Sequence, residues 1–409
     1  MQTRRVFLKN GALALVSLGF APSFLARTAS ADTRRQRVLV AVFQRGAVDG
    51  LNMVVPFGDR PYYAARPTIA IEQPRGKSGA LDLDELFGFH PRMASLHRWY
   101  TEGQLAIVHA CGSPNATRSH FDAQDFMETA TPGARNTQEG WLNRYLQARR
   151  IEEQTPLRAV SLTPQLPRSL QGTAPAIAMS EIKRFDLRAA AAMQTSFEEQ
   201  YAAAADQALG KTGGDAFEAI KMLRTVDGKR YRPENRARYP RSPFGRALTQ
   251  VAQLIKANVG LEVAFAEVGG WDTHFSQGAD EGRLATRLND FSSAISAFAQ
   301  DLGSRLQDVV ILTMSEFGRT VNENGSRGTD HGHGNVMLAL GGSVRGGKVY
   351  GKWPGLAPEQ RFEGRDLAIT TDFRDVFGEV VVRHLGIRDP SPIFPGHTIS
   401  PENFVRFLT

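Results

Sequence analysis

Carboxylate and imidazole side chains recur in short, glycine-bearing segments of this 409-residue chain. In Gly269-Gly270-Trp271-Asp272-Thr273-His274, Asp272 and His274 flank one residue, so an extended backbone points both to the same side. Asp330, His331 and His333 are spaced as closely in Asp330-His331-Gly332-His333-Gly334, where glycine permits close backbone approach. Asp49, Arg118-Ser119-His120-Phe121-Asp122 and Ser315-Glu316-Phe317-Gly318-Arg319-Thr320 add further polar groups. Oxygen and imidazole donors of this kind suit a divalent metal, zinc first, with manganese, iron, magnesium or calcium as alternatives. A single Asp-x-His is commonly only a loop hydrogen-bonding motif, and the competing reading is a hydrogen-bonded polar crevice without metal. Recurrence of several clusters favours the metal. His90, His97, His109, His384 and His397 lie outside the clusters and read as structural or surface residues.

These segments sit beside short apolar runs. Val38 to Phe43, Gln104 to Ala110, Leu261 to Val268, Val309 to Met314 and Val336 to Leu340 each read as a strand, several of them buried on both faces. Asp49, the Ser119 segment, Asp272-Thr273-His274 and Glu316 follow the first four runs, and Asp330 to Gly334 precedes the fifth. Pro91 to Glu102 and Arg283 to Leu306 show the 3.6-residue apolar spacing of helices. Strands alternating with helices indicate an α/β sandwich with a largely parallel sheet, which binds ligands at its strand ends. Residues 137–251 read as a mostly helical insertion, with helices at Phe185 to Leu209 and Asp215 to Val226.

The N-terminus carries a targeting signal. Thr3-Arg4-Arg5-Val6-Phe7-Leu8-Lys9 is a twin-arginine box, followed by an apolar stretch and Ala29-Ser30-Ala31 as the cleavage site. The stretch is shorter than a bilayer span and contains Pro22, so it reads as a processed leader and not a stable membrane anchor. Cleavage after residue 31 leaves 378 residues for a periplasmic or secreted protein that meets the twin-arginine translocase during export. The whole chain has a net charge of +7, but the leader holds four of its bases; the remainder has 45 basic and 42 acidic residues. No nucleic-acid partner follows from that balance. The single cysteine, Cys111, excludes an intrachain disulfide and reads as a buried thiol.

Together the leader, Arg45-Gly46-Ala47-Val48-Asp49-Gly50-Leu51-Asn52, Arg118 to Gln124, Gly270 to His274, Ser315 to Thr320 and Asp330 to Gly334 resemble domain-of-unknown-function family 1501. That family is in turn similar to the alkaline phosphatase and sulfatase superfamily. The resemblance implies an alkaline-phosphatase-like three-layer α/β sandwich with two metal sites at the strand ends. It implies Asp49, Asp272, His274, Glu316, Asp330 and His331 or His333 as metal ligands, and Ser119 as nucleophile beside His120. Arg118 and Arg319 become clamps for phosphate or sulfate oxygens, or else partners of carboxylates. Phe317 departs from the pattern by standing where a ligating histidine is usual, so one ligand of the second site is missing or comes from elsewhere, from Asp330 or His120. The expected function is a metal-dependent hydrolase of small-molecule or polymer phosphate or sulfate esters. The alternatives are an exported metal-binding protein that assembles with an exported protein partner, and a redox enzyme that modifies one.

Overall fold

The computed structural model describes residues 36–149, 155–184, 219, 221–223, 226 and 231–409. The expected leader and the helices expected at Phe185 to Leu209 and over most of Asp215 to Val226 lie outside the described residues. Along the described chain come β1 (Val38–Gln44), β2 (Val54–Val55), β3 (Leu81–Asp82), β4 (Gly88–Phe89), β5 (Leu105–Gly112) and β6 (Ala159–Ser161). They are followed by β7 (Ile177–Ala178), β8 (Val263–Val268), β9 (Val309–Met314), β10 (Asn335–Gly341), β11 (Lys348–Tyr350) and β12 (Thr371–Asp372). The longer helices are α1 (Ala94–Thr101), α2 (His120–Thr129), α3 (Trp141–Ala148), α4 (Pro243–Lys256), α5 (Arg283–Leu302) and α6 (Phe373–Glu379).

Nine strands form the central sheet in the order β11-β5-β10-β9-β1-β8-β6-β7, with β12 also paired to β5. β2, β4 and β3 make a small separate sheet. All five apolar runs become strands of the large sheet, and β1, β5, β9 and β10 are buried along their whole length. Sheet direction is parallel throughout except at β10, which runs antiparallel to both β5 and β9. This reversal brings the segment before β10 to the edge reached by the segments after β1, β5, β8 and β9.

Layering follows from side-chain alternation in β1. Val38, Val40 and Val42 enter one core with α1, α4 and α5, whereas Leu39, Ala41 and Phe43 enter another with α3 and α6. The apolar face of α5 reads Leu284, Leu288, Phe291, Ile295, Phe298 and Leu302, spaced by four or three, and all are buried. Each such burial contributes about 1.5–3 kcal/mol. The helix ends at Leu302 and a 3-10 turn continues over Gly303–Asp308, so the helical spacing read through Leu306 spans two elements.

The stretch expected to be a helical insertion also builds the sheet. β6 pairs with β8, and β7 with β6, both parallel. At three and two residues these strands are too short to print a period on the sequence. No helix among the described residues is long and apolar enough to cross a membrane.

Candidate metal centre

Four segments converge at the sheet edge. His120 is the first residue of α2, whose N-cap is Ser119. Asp272 and His274 lie in the loop after β8, Glu316 and Arg319 follow β9, and Asp330 and His331 precede β10. The last two segments form a short antiparallel ladder: Thr320 N–H donates to Asp330 O, Gly332 to Gly318 O and Gly318 to His333 O. A Cβ on Gly318 would collide with the Gly334 carbonyl, and one on Gly332 with the Arg319 backbone. Those glycines are what the close approach requires.

Imidazole nitrogens meet one carboxylate at the centre. His274 Nε2 lies 3.0 Å from Asp272 Oδ1 and 3.0 Å from His331 Nε2. His331 Nε2 is 3.5 Å from Asp272 Oδ1, and His120 Nε2 is 3.7 Å from Asp272 Oδ2. Donor atoms of His120, Asp272 and His331 all fall within 4.8 Å of one another. On the far side of each ring an acceptor holds Nδ1: Glu316 Oε1 at 2.8 Å for His120, Asp330 Oδ1 at 2.9 Å for His274 and Arg118 O at 2.8 Å for His331. Acceptors at all three Nδ1 positions assign the proton there in the neutral ring, so the Nε2 lone pairs point inward. His120 Nε2 is buried and has no hydrogen-bond partner. A buried orphan acceptor beside two imidazole nitrogens and a carboxylate fits a cation, and Nδ1 held by an acceptor is the usual support of a metal-bound histidine.

Surrounding charges keep the carboxylates ionised. Burial pushes the Asp272 carboxyl up, but the Arg319 hydrogen bond and charge, with His274 and His120, hold it below its ordinary value. Burial acts the same way on Glu316 and is outweighed by hydrogen bonds from His120, Gln124 and the Gly46 N–H. Asp330 is likewise lowered against burial by His274 and Asn324. His331 is lowered by burial first, against the pull of the Arg118 carbonyl, with His120 and Arg319 adding to the lowering.

The remaining candidates have other neighbours. Asp49 is fully buried, its Oδ2 accepting from Arg66 Nη1 and Gln277 Nε2, both at 2.7 Å. Glu316 sits behind His120 and orients it. Phe317, buried, packs 5.0 Å from both the His120 and His331 rings, an apolar floor where the resemblance led one to look for a ligand. His333 stacks on Phe362 at 4.2 Å, and burial first, then Arg118, lowers its pKa to about 4. Ser119 Oγ accepts the Asp122 N–H at 3.5 Å as helix cap.

Arg319, expected as a clamp or a carboxylate partner, is the latter. Its side chain is fully buried and donates to the carbonyls of Gly46, Ala47, Trp271 and Thr329 and to Asp272 Oδ1. Arg118 pairs with Asp366 at 2.7 Å and Glu363 at 2.6 Å. Arg66, Gln277 and Gln124 are the supporting residues that the residue-by-residue reading left unassigned. Their types are common, and only the fold brings them to Asp49 and Glu316.

Of the other histidines, His90, His97, His109 and His384 bond backbone carbonyls and His397 meets Asp375, as structural residues do. Cys111 is buried at the end of β5.

The chain is similar to the C-terminal periplasmic domain of EcEptC from Escherichia coli, at TM-score 0.38 and 12% identity over 90% of this chain and 88% of that one. It is similar to PsFucS1 sulfatase from Pseudoalteromonas sp. at TM-score 0.40 and 10% identity, covering 90% and 72%. The zinc complex of the EcEptC domain matches at TM-score 0.34 and 9% identity, covering 76% and 74%. No curated protein matches the chain. The family model described as "Protein of unknown function (DUF1501)" matches residues 36–377, and the chain belongs to that family.

Proposed function

We propose that the protein is an exported, metal-dependent hydrolase of phosphate or sulfate esters. One observation carries the proposal: three imidazoles, each held at Nδ1 by an acceptor, turn Nε2 toward the Asp272 carboxylate. Imidazole nitrogens with a single carboxylate favour zinc. A divalent ion held by His120, Asp272 and His331, with His274 beside them, would supply Lewis acidity for a bound ester oxygen.

The chain's own residues complete the chemistry. Ser119 Oγ lies at the N-terminus of α2, where it accepts the Asp122 N–H and the helix dipole favours a negative oxygen. It would attack phosphorus or sulfur, giving a serine ester and releasing the alcohol, and water would then free the serine. His120 is fixed by Glu316, and Asp272 by Arg319, so both are oriented before substrate arrives.

A second reading, a metal-binding protein without turnover, draws on the two arginines. Arg118 is paired with Asp366 and Glu363, and Arg319 with carbonyls and Asp272, so both guanidinium groups already use donors within the protein. Elemental analysis of the mature protein, purified without chelators, separates the readings when paired with phosphate-ester and sulfate-ester assays. Stoichiometric metal and turnover, both lost in Asp272→Ala, support hydrolysis. Metal without turnover supports the second reading, and a metal-free folded protein removes both. Export belongs to the same proposal: Arg4→Lys with Arg5→Lys should leave the precursor in the cytoplasm.

A further inference from the structure

Large apolar side chains are covered over nearly the whole described surface. The two exceptions are Phe121, 89% exposed, and Phe275, 59% exposed. Single exposed apolar residues are ordinary. These two share a position that is not: Phe121 directly follows His120, and Phe275 directly follows His274. Consecutive Cα atoms are about 3.8 Å apart, so each phenylalanine stands on the backbone that presents an imidazole to the candidate metal centre. The two histidines meet through His331, whose ring lies 4.3 Å from His120 and 4.7 Å from His274. Each phenylalanine is thus the chain neighbour of a histidine of one small centre, on two separate segments.

A charge accompanies them. The Arg283 guanidinium lies 4.8 Å above the Phe275 ring and donates to the Phe275 carbonyl at 3.4 Å. Arg283 is exposed and forms no ion pair among the described residues. An aromatic surface capped by an uncompensated cation, next to a site for an acidic ester, matches a molecule with an anionic head and an apolar body.

We infer that Phe121 and Phe275 select the substrate of the centre, holding the alkyl or aryl group of an amphiphilic phosphate or sulfate ester whose acidic head sits at the imidazole cluster. This rests on the ester reading above. Burial of chain carbons against the two rings gives longer esters their affinity, and a small ester gains nothing from them. Both side chains are exposed, so their removal leaves the core intact.

Isothermal titration of the metal-loaded mature protein with methyl- and hexylphosphonate, and with the matching sulfonates, tests the inference without turnover. The hexyl compound of the preferred series should bind about tenfold or more tightly than the methyl compound. In F121A/F275A that ratio should fall below about threefold, while methyl-compound affinity stays within about twofold. Equal affinities in the wild type, or a hexyl preference that survives the double variant, would overturn the inference and leave the ester reading standing. If neither head group binds in a manner abolished by Asp272→Ala, the ester reading falls and the inference falls with it.

Discussion

Asp49 offers a test of whether a buried carboxylate holds the fold or takes a place at the candidate metal centre. It pairs with Arg66 at 2.7 Å, and both side chains have zero solvent exposure. Arg66 also donates to Asn52 Oδ1, Val321 O and Thr320 O, while Asp49 Oδ2 keeps one further donor, Gln277. Replacing Asp49 by asparagine leaves a buried guanidinium without an anion, at a cost of about 3–5 kcal/mol. Arg66→Met strands the carboxylate with Gln277 alone and removes the donors to two carbonyls, for a similar ~3–5 kcal/mol. The double variant restores neutrality, so its cost should fall short of the sum by about 2 kcal/mol or more. Against a total stability of order 5–15 kcal/mol, the single variants lose a large share of the folding free energy. Denaturant unfolding in excess chelator measures these costs free of any bound ion. Zinc affinity of Asp49→Asn, taken by competition, should change less than about threefold, well short of the 10–100-fold loss expected even for a residue that orients a ligand. Loss of the ion in Asp49→Asn with chelated stability unchanged would refute this account and make Asp49 a ligand.

Three further outcomes are expected. Glu316→Gln removes the charge that holds His120 Nδ1 and should weaken metal binding about 10–100-fold, read by competition with a chromogenic chelator; unchanged affinity would deny Glu316 its orienting role. Ser119→Ala should end ester turnover, keep the metal and cost about 1 kcal/mol of helix capping; retained turnover removes the nucleophile assignment. His90, His109 and His384 are each lowered to about 4, chiefly by burial, so the unfolded chain takes up their protons first as pH falls. Their contribution is complete above pH ~6.5 and is lost as pH drops toward about 4, at up to ~3 kcal/mol each. Denaturation at pH 7, 6 and 5 should show a shallower decline in His109→Gln than in the wild type, and parallel declines would count against the assignment.

Much of the architecture was legible because a strand buried on both faces must be apolar throughout. The runs that became β1, β5, β8, β9 and β10 stand out for that reason, and the polar segments beside them marked the site. Strand direction leaves no such trace, since reversing β10 changes none of its buried side chains. β6 and β7 escaped notice because three and two residues hold no period. Roles are harder to read than strands. A buried aspartate after β1 looks alike whether it faces a metal or an arginine, and Arg66 comes into view only when the chain folds back on itself. Glu316 and His120 were both singled out, but which one faces the centre depends on the 2.8 Å bond between them.

The single reversed strand also bears on how the site comes together. β9 and β10 are neighbours in the sheet and antiparallel, so residues 315–334 are the closed end of one long hairpin. Glu316, Arg319, Asp330 and His331 ride on that hairpin, whose connecting segment is far shorter than the separation that β1 and β8 bridge. Closure entropy rises with loop length, so this half of the site is the least costly to form. β1 and β8 pair across more than 200 residues, as at Leu39 with Val263, and contacts of that range form slowly. Asp272 and His274 depend on the placement of β8, and His120 on α2 after β5, so the hairpin carries the half of the candidate centre with the shorter-range contacts.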